Sequence, residues 1–256
     1  MIHYRDEGSG NVLVLLHGFP ESMEIWNDFT EVLSKKYRII TVDLLGHGES
    51  GCTGEKHTME EMAEVVNVVL DFCHVEKCML IGHSMGGYIT LAFTELFPEK
   101  LKGICLFHSS ALADTEEKKE NRLHAMESVK ENHDRFVDEL IPTFFAKKNR
   151  TLFEKEIEAM KALARKNSME GIAAALAGMR DRKERMDVLK NLKVPVLFLL
   201  GRYDSLMPID KLLPQIKLPE NSLTIVLENS GHMGFIEEKE EAIFTIDNYA
   251  VYCFSR

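Results

Sequence analysis

A chain of 256 residues and 29.2 kDa exceeds one average domain but suits one large α/β domain or a domain carrying an insertion, which disfavours two equal independent domains. With 45% hydrophobic and 28% charged residues, 16 Gly and 7 Pro, the composition excludes disorder, collagen-like repeats and coiled coil. A net charge of −10, from 31 Lys+Arg against 41 Asp+Glu, argues against nucleic acid or an anionic membrane as partner.

Cys52, Cys73, Cys78, Cys105 and Cys253 are odd in number, scattered and never in C-x-x-C spacing, so free thiols are expected in place of disulfides or a structural zinc site. The first residues lack the basic start and apolar core of a secretory signal, and no apolar run approaches the ~18 residues of a membrane span. A cytoplasmic location is the expectation.

Taken in chain order, apolar β-branched runs at residues 12–16, 38–42, 78–81, 103–107, 194–200 and 223–227 each read as a strand buried on both faces. Between most of them, helical spacing spans residues 23–33, 59–72, 85–97, 208–216 and 237–252. Alternation at this pitch predicts βαβ units around a mostly parallel central sheet, an α/β fold with right-handed crossovers. Residues 114–190 break the alternation. They hold no convincing strand, Pro142 is their only proline, and Leu123/Met126/Val129, Ile157/Met160/Leu163 and Ile172/Leu176/Met179 keep helical spacing. A helical insertion before the last two strands is predicted, dividing the chain into a core of residues 1–113 and 191–256 and an insertion of residues 114–190. The insertion carries 17 Lys+Arg against 16 Asp+Glu, so the acidity belongs to the sheet domain, and its Glu/Lys clusters read as solvated helix faces.

Gly82-His83-Ser84-Met85-Gly86 lies between the strand at 78–81 and the helix beginning near residue 85. A G-x-S-x-G sequence in that context turns sharply, with small residues where side chains would collide, and holds Ser84 out at the carboxyl end of the sheet. There the unpaired amides of the helix N-terminus favour developing negative charge. A serine hydroxyl needs a base, itself oriented by a third group. Two later strands end in Gly201-Arg202-Tyr203-Asp204 and Ser230-Gly231-His232, both at the edge where ligands collect in open α/β sheets. Asp114, beyond the strand ending at residue 107, is the rival acid, less favoured than Asp204 in its Gly-x-x-Asp context.

Five motifs in order, His17-Gly18-Phe19-Pro20, Asp43-Leu44-Leu45-Gly46-His47-Gly48-Glu49-Ser50, the Ser84 turn, Gly201 to Asp204 and Gly231-His232, cover nearly the whole chain. Together they resemble the α/β-hydrolase superfamily, in its group of serine hydrolases with a helical cap. The resemblance implies a nucleophile Ser84, a base His232, an orienting Asp204, and an oxyanion hole from the backbone amides of Phe19 and Met85. The insertion would be the cap. It also implies loop-shaping roles for His17 and His47, a structural turn around Asp43, and an antiparallel strand near residues 2–7. The further edge strand common in the family is expected to be missing or reduced.

Met179 from the insertion, with Met233 and Phe235 beside His232, are expected to form an apolar substrate pocket. No H-E-x-x-H, G-x-G-x-x-G or G-x-x-x-x-G-K-[ST] motif appears, so no metal, dinucleotide or nucleotide cofactor is expected. Hydrolysis of a small-molecule acyl ester is the leading expectation. C–C bond hydrolysis, thioester or amide hydrolysis, perhydrolysis, and a non-catalytic ligand receptor on the same fold remain alternatives.

Overall fold

The structure, a computed structural model, describes residues 1–255. Strands β1 (Tyr4–Gly8), β2 (Val12–Leu16), β3 (Arg38–Val42), β4 (Cys78–His83), β5 (Leu101–Phe107), β6 (Val196–Gly201) and β7 (Ser222–Leu227) form one sheet in the order β1-β3-β2-β4-β5-β6-β7. Only β1 is antiparallel to its neighbour; every other pairing is parallel. The carboxyl ends of β2 and β4 to β7 therefore open on one side of the molecule.

Alternation along β2 shows why both faces must be covered. Val12, Val14 and Leu16 pack on one side with helices α2 (Met59–Phe72) and α3 (Met85–Leu96). Leu13 and Leu15 pack on the other, with Trp26, α1 (Asn27–Leu33) and, at the C-terminus, α11 (Lys239–Phe254). Helix α2 starts where Thr58 and Glu61 cap each other reciprocally, Thr58 Oγ1 accepting from the Glu61 N–H and Glu61 Oε2 from the Thr58 N–H, each at 3.1 Å.

Three local expectations are revised. The helix expected over 23–33 begins as a 3₁₀ turn, Met23–Trp26, capped by Ser22. Strand β6 starts at Val196 because Pro195 has no N–H to give the ladder. Strand β7 is not buried on both faces: it is the sheet edge, with Leu223 46% exposed.

Between β5 and β6 lie α4 (Glu116–Glu131), α5 (His133–Phe144), α6 (Glu154–Ala164), α7 (Met169–Asp181) and the short α8 (Met186–Lys190). Thr115, Asn132 and Ser168 cap α4, α5 and α7 through side-chain oxygens, which sets where each begins. Their apolar faces divide between the two cores: Ile172, Leu176 and Met179 join the α2/α3 side, whereas Val137, Ile141 and Met160 join the α1/α11 side. Helix α9 (Ile209–Ile216) follows β6, and a single turn, α10 (Gly234–Glu237), precedes α11.

Helix α7 lies directly on the loop after β3. A Cβ added at Gly178 would sit 1.7 Å from the His57 carbonyl oxygen, and the His57 N–H donates to the Ala174 carbonyl at 3.0 Å. Gly178→Ala should therefore lower stability by up to about 2 kcal/mol, because overpacking against backbone, about 1–3 kcal/mol, outweighs the roughly 1 kcal/mol that Ala gains over Gly in a helix. The urea unfolding midpoint measures this; a midpoint at or above that of the parent protein would contradict it.

Candidate active site

Ser84 occupies the turn from β4 into α3 with φ +50° and ψ −111°, a conformation that costs a non-glycine residue on the order of 1–3 kcal/mol. Its surroundings hold it there. The Ser84 N–H donates to the Phe107 carbonyl at 2.9 Å, and the Ser109 hydroxyl donates to the Ser84 carbonyl at 2.7 Å. Glycines make the turn possible: a Cβ at Gly82 would lie 2.3 Å from the Gly86 carbonyl oxygen, and one at Gly86 would lie 2.4 Å from that of Leu16.

His232, in the loop between β7 and α10, sends Nε2 to within 2.8 Å of Ser84 Oγ and Nδ1 to within 2.7 Å of Asp204 Oδ2. Asp204, in the loop after β6, receives the Leu206 and Met207 N–H groups on Oδ1, each at 2.9 Å. Burial alone would raise the Asp204 carboxyl, but His232 and His108 beside it hold it well below the usual carboxylate range. A carboxylate accepts only, so the imidazole proton sits on Nδ1 and the Nε2 lone pair faces the serine hydroxyl. An imidazole so placed can take the proton from Oγ, and the carboxylate can stabilise the resulting imidazolium.

His108, one residue past β5, also reaches this carboxylate, with Nδ1 3.2 Å from Oδ2. Its Nε2 accepts from the Gly234 N–H at 3.3 Å, which puts its proton on Nδ1, and burial pushes its pKa down to about 4. His108, Asp204 and His232 are the metal-spaced trio among the described residues, with candidate ligand atoms within 4.8 Å of one another. Of the two imidazoles, His232 Nδ1 is hydrogen-bonded to the carboxylate, whereas His108 Nδ1 lies beside it without hydrogen-bond geometry. Sequence reading passed over His108, although its place at a strand end is the signal that found Ser84, Asp204 and His232.

A buried ion pair braces the other side. His83 Nδ1 lies 3.1 Å from Glu21 Oε2, and its Nε2 donates to the His232 carbonyl at 2.9 Å. Glu21 Oε2 also accepts the Gly18 N–H at 2.5 Å. Burial pushes the imidazole down and the carboxyl up, and their mutual attraction reverses both, raising His83 and lowering Glu21. One charged pair thus ties the loop bearing Phe19 to the strand end next to Ser84 and to the loop bearing His232. The Phe19–Pro20 peptide bond is cis. Among the described residues, the Phe19 and Met85 N–H groups have no backbone partner.

The His232 loop is pinned from the insertion as well. Its N–H donates to the Phe144 carbonyl at 2.7 Å. The buried Glu237 carboxylate accepts from the Gly231 N–H at 2.8 Å, the Ala146 N–H at 3.0 Å and the Asn149 side chain at 2.7 Å.

A cavity of about 340 Å³ opens onto Ser84 and His232. Phe19 and Met179 line it, with Tyr88, Phe136, Phe144 and Leu176 among its apolar walls. Met233 and Phe235 lie outside that lining, contrary to the pocket expected from sequence. Both belong to the α1/α11 core, where Phe235 meets His83 edge-on at 4.9 Å. Asp114 is likewise placed elsewhere, between Arg122 Nε at 2.6 Å and Arg182 Nη1 at 2.7 Å. His17 and His47 serve loops: His17 Nε2 accepts the Leu44 N–H at 3.0 Å, and His47 Nδ1 lies 3.1 Å from the Leu45 carbonyl. Asp43 accepts the Met23 and Glu49 N–H groups at 2.8 and 3.0 Å.

Comparison with known proteins adds three kinds of likeness. The family model for the alpha/beta hydrolase fold matches residues 11–239. A pimeloyl-[acyl-carrier protein] methyl ester esterase of Aliivibrio fischeri is 27% identical over 94% of both chains. A dihydrolipoyllysine-residue acetyltransferase component of an acetoin cleaving system of Pseudomonas putida is 28% identical over 91% of this chain, which spans 61% of that protein's length. The structure of a thermophilic esterase from Thermogutta terrifontis, with malate bound, superposes with a TM-score of 0.94 at 30% identity, covering 98% of this chain and 93% of that one. Among the described residues, no helix is long and apolar enough to cross a membrane.

Proposed function

The chain belongs to the alpha/beta hydrolase fold family, and from that premise we propose that it is a serine hydrolase that cleaves small carboxylic esters through an acyl-enzyme intermediate. The observation that carries this reading is the unbroken hydrogen-bond line from Ser84 Oγ through His232 to Asp204, at 2.8 and 2.7 Å, on the floor of a cavity. Ser84 Oγ attacks the ester carbonyl while His232 Nε2 takes its proton. The charge that develops on the carbonyl oxygen meets the N–H groups of Phe19 and Met85 at the N-terminus of α3. His232 then gives its proton to the departing alcohol. Water enters by the same route in reverse and releases the acid. Asp204, ionised throughout, holds the imidazole in the tautomer the attack requires. The insertion acts as a cap, with α4, α5 and α7 supplying walls of the cavity. At about 340 Å³ the cavity is near the low end of ligand sites, which favours short acyl groups. Esterases among both the sequence relatives and the similar structures support the reaction class.

A fluorophosphonate probe incubated with the folded protein should label Ser84, as located by peptide mass spectrometry, and block hydrolysis of 4-nitrophenyl esters with the same time course. Label on another residue, or none, would overturn the proposal.

A further inference from the structure

The chain carries a net charge of −10, yet the lining of the cavity over Ser84 and His232 includes Lys118 and Arg122 and, among the described residues, no Asp or Glu. Both cations come from the first turns of α4, four residues apart, so they point to the same side of that helix. Their circumstances differ. Arg122 is committed to Asp114 Oδ2 at 2.6 Å, and Asp114 Oδ1 is held by Arg182 at 2.7 Å, whose guanidinium lies over the Tyr88 ring. One carboxylate is thus shared by two guanidinium groups. Lys118 is left, among the described residues, with no ion-pair partner of its own. Asp204, the other carboxylate acting on it, is engaged by His232 and by the Leu206 and Met207 N–H groups. Lys118 is an exposed residue, and partial desolvation of its amine beside the cavity lowers its pKa, with Asp114 opposing that effect and Arg182 and Arg122 adding to it. An anion beside its amine would reverse the penalty. Phe136, Leu140, Leu176 and Met179 make other walls of the cavity apolar, so a ligand there meets hydrocarbon as well as the Lys118 amine.

Resting on the esterase reading, we infer that the substrate is a short ester bearing a carboxylate remote from the scissile bond, bound by Lys118 at the rim of the cavity. The chemical class is a half-ester of a small dicarboxylic acid, or an ester of a carboxylate-bearing alcohol.

Matched pairs of esters test this. Mono(4-nitrophenyl) glutarate against 4-nitrophenyl valerate places the charge on the acyl side, and 4-(butyryloxy)benzoate against phenyl butyrate places it on the alcohol side. In one pair the anionic ester should have the higher kcat/KM by about tenfold, the scale of one charge-assisted hydrogen bond. That preference should shrink as salt is raised, vanish in Lys118→Gln and reverse in Lys118→Glu. Lys119→Gln, at a lysine that is paired with Glu116 and lies outside the cavity lining, should change none of these ratios. Equal rates within both pairs, or a preference that survives Lys118→Gln, would overturn the inference while leaving the hydrolase reading intact. If no ester is cleaved and Ser84 takes no fluorophosphonate label, the hydrolase reading fails. Calorimetric titration with glutarate then still decides the role of Lys118: about tenfold weaker binding in Lys118→Gln upholds it, and equal binding or none in the parent protein refutes it.

Discussion

Ser84→Ala should lower kcat/KM on 4-nitrophenyl esters by about 10⁶, and His232→Ala should cost about as much, because nucleophile and base act as one unit. For the same reason the double variant should be little worse than either single one. The fold should survive both changes. Ala has the same backbone demands as Ser at φ +50°, and the bonds that hold this turn, from the Ser84 N–H to Phe107 and from Ser109 to the Ser84 carbonyl, involve no Ser84 side-chain atom. Far-ultraviolet circular dichroism and a urea titration check that the loss is kinetic. Activity in Ser84→Ala within tenfold of the parent would remove the serine from the chemistry.

The second large effect separates two buried aspartates. Asp204→Asn should reduce kcat/KM by about 10⁴, since an amide in place of Oδ2 presents a donor to His232 Nδ1 and favours the wrong tautomer. Asp114→Asn should leave the chemical step nearly untouched and instead cost about 3–5 kcal/mol of stability, because it strips the shared counter-charge from Arg122 and the buried Arg182. Arg182 keeps its bonds to the Met179 and Leu112 carbonyls, which puts the loss toward the lower figure. Rate assays and chemical denaturation on both variants give a crossed pattern: one defect in turnover, the other in midpoint. A turnover defect of 10⁴ in Asp114→Asn, with normal rates in Asp204→Asn, would exchange their roles.

Much of the architecture could be read from residue patterns because local periodicity and turn chemistry determine it. The doubly covered strands announced themselves as unbroken apolar runs, and Gly82 and Gly86 marked the turn that exposes Ser84. Position at a strand's carboxyl end nominates His232 and both Asp204 and Asp114, the Gly-x-x-Asp context favours Asp204, and the fold brings the side chains of Asp204 and His232 into line with Ser84. What escaped depends on packing between distant segments. Glu21 and His83 are 62 positions apart, and neither has a local pattern that reveals the other. Met233 and Phe235 adjoin His232 in the chain and so suggest a pocket, but neighbours in an irregular loop point in different directions, and these two turn into the α1/α11 core. Lys118 belongs to a Glu/Lys cluster that reads as a solvated helix face, yet it lines the cavity, since a helix face declares its surroundings only once its packing partners are in place.

The bonds joining residues 144–149 to the loop of His232 bear on how this scaffold can be re-engineered. Cassette exchange, in which a foreign insertion replaces the native one to import a new specificity, assumes that the two parts meet only at their chain junctions. Here the Phe144 carbonyl accepts the His232 N–H, and the Ala146 N–H and the Asn149 amide donate to the Glu237 carboxylate that also accepts the Gly231 N–H. A Cβ at Gly231 would lie 2.4 Å from the Ala146 nitrogen, so the two segments meet without a side chain between them. Functionally, residues 144–149 belong to the recipient. A transplant that keeps them and exchanges only the flanking helical stretches preserves the seat of His232, whereas one cut at the ends of the whole insertion discards part of it.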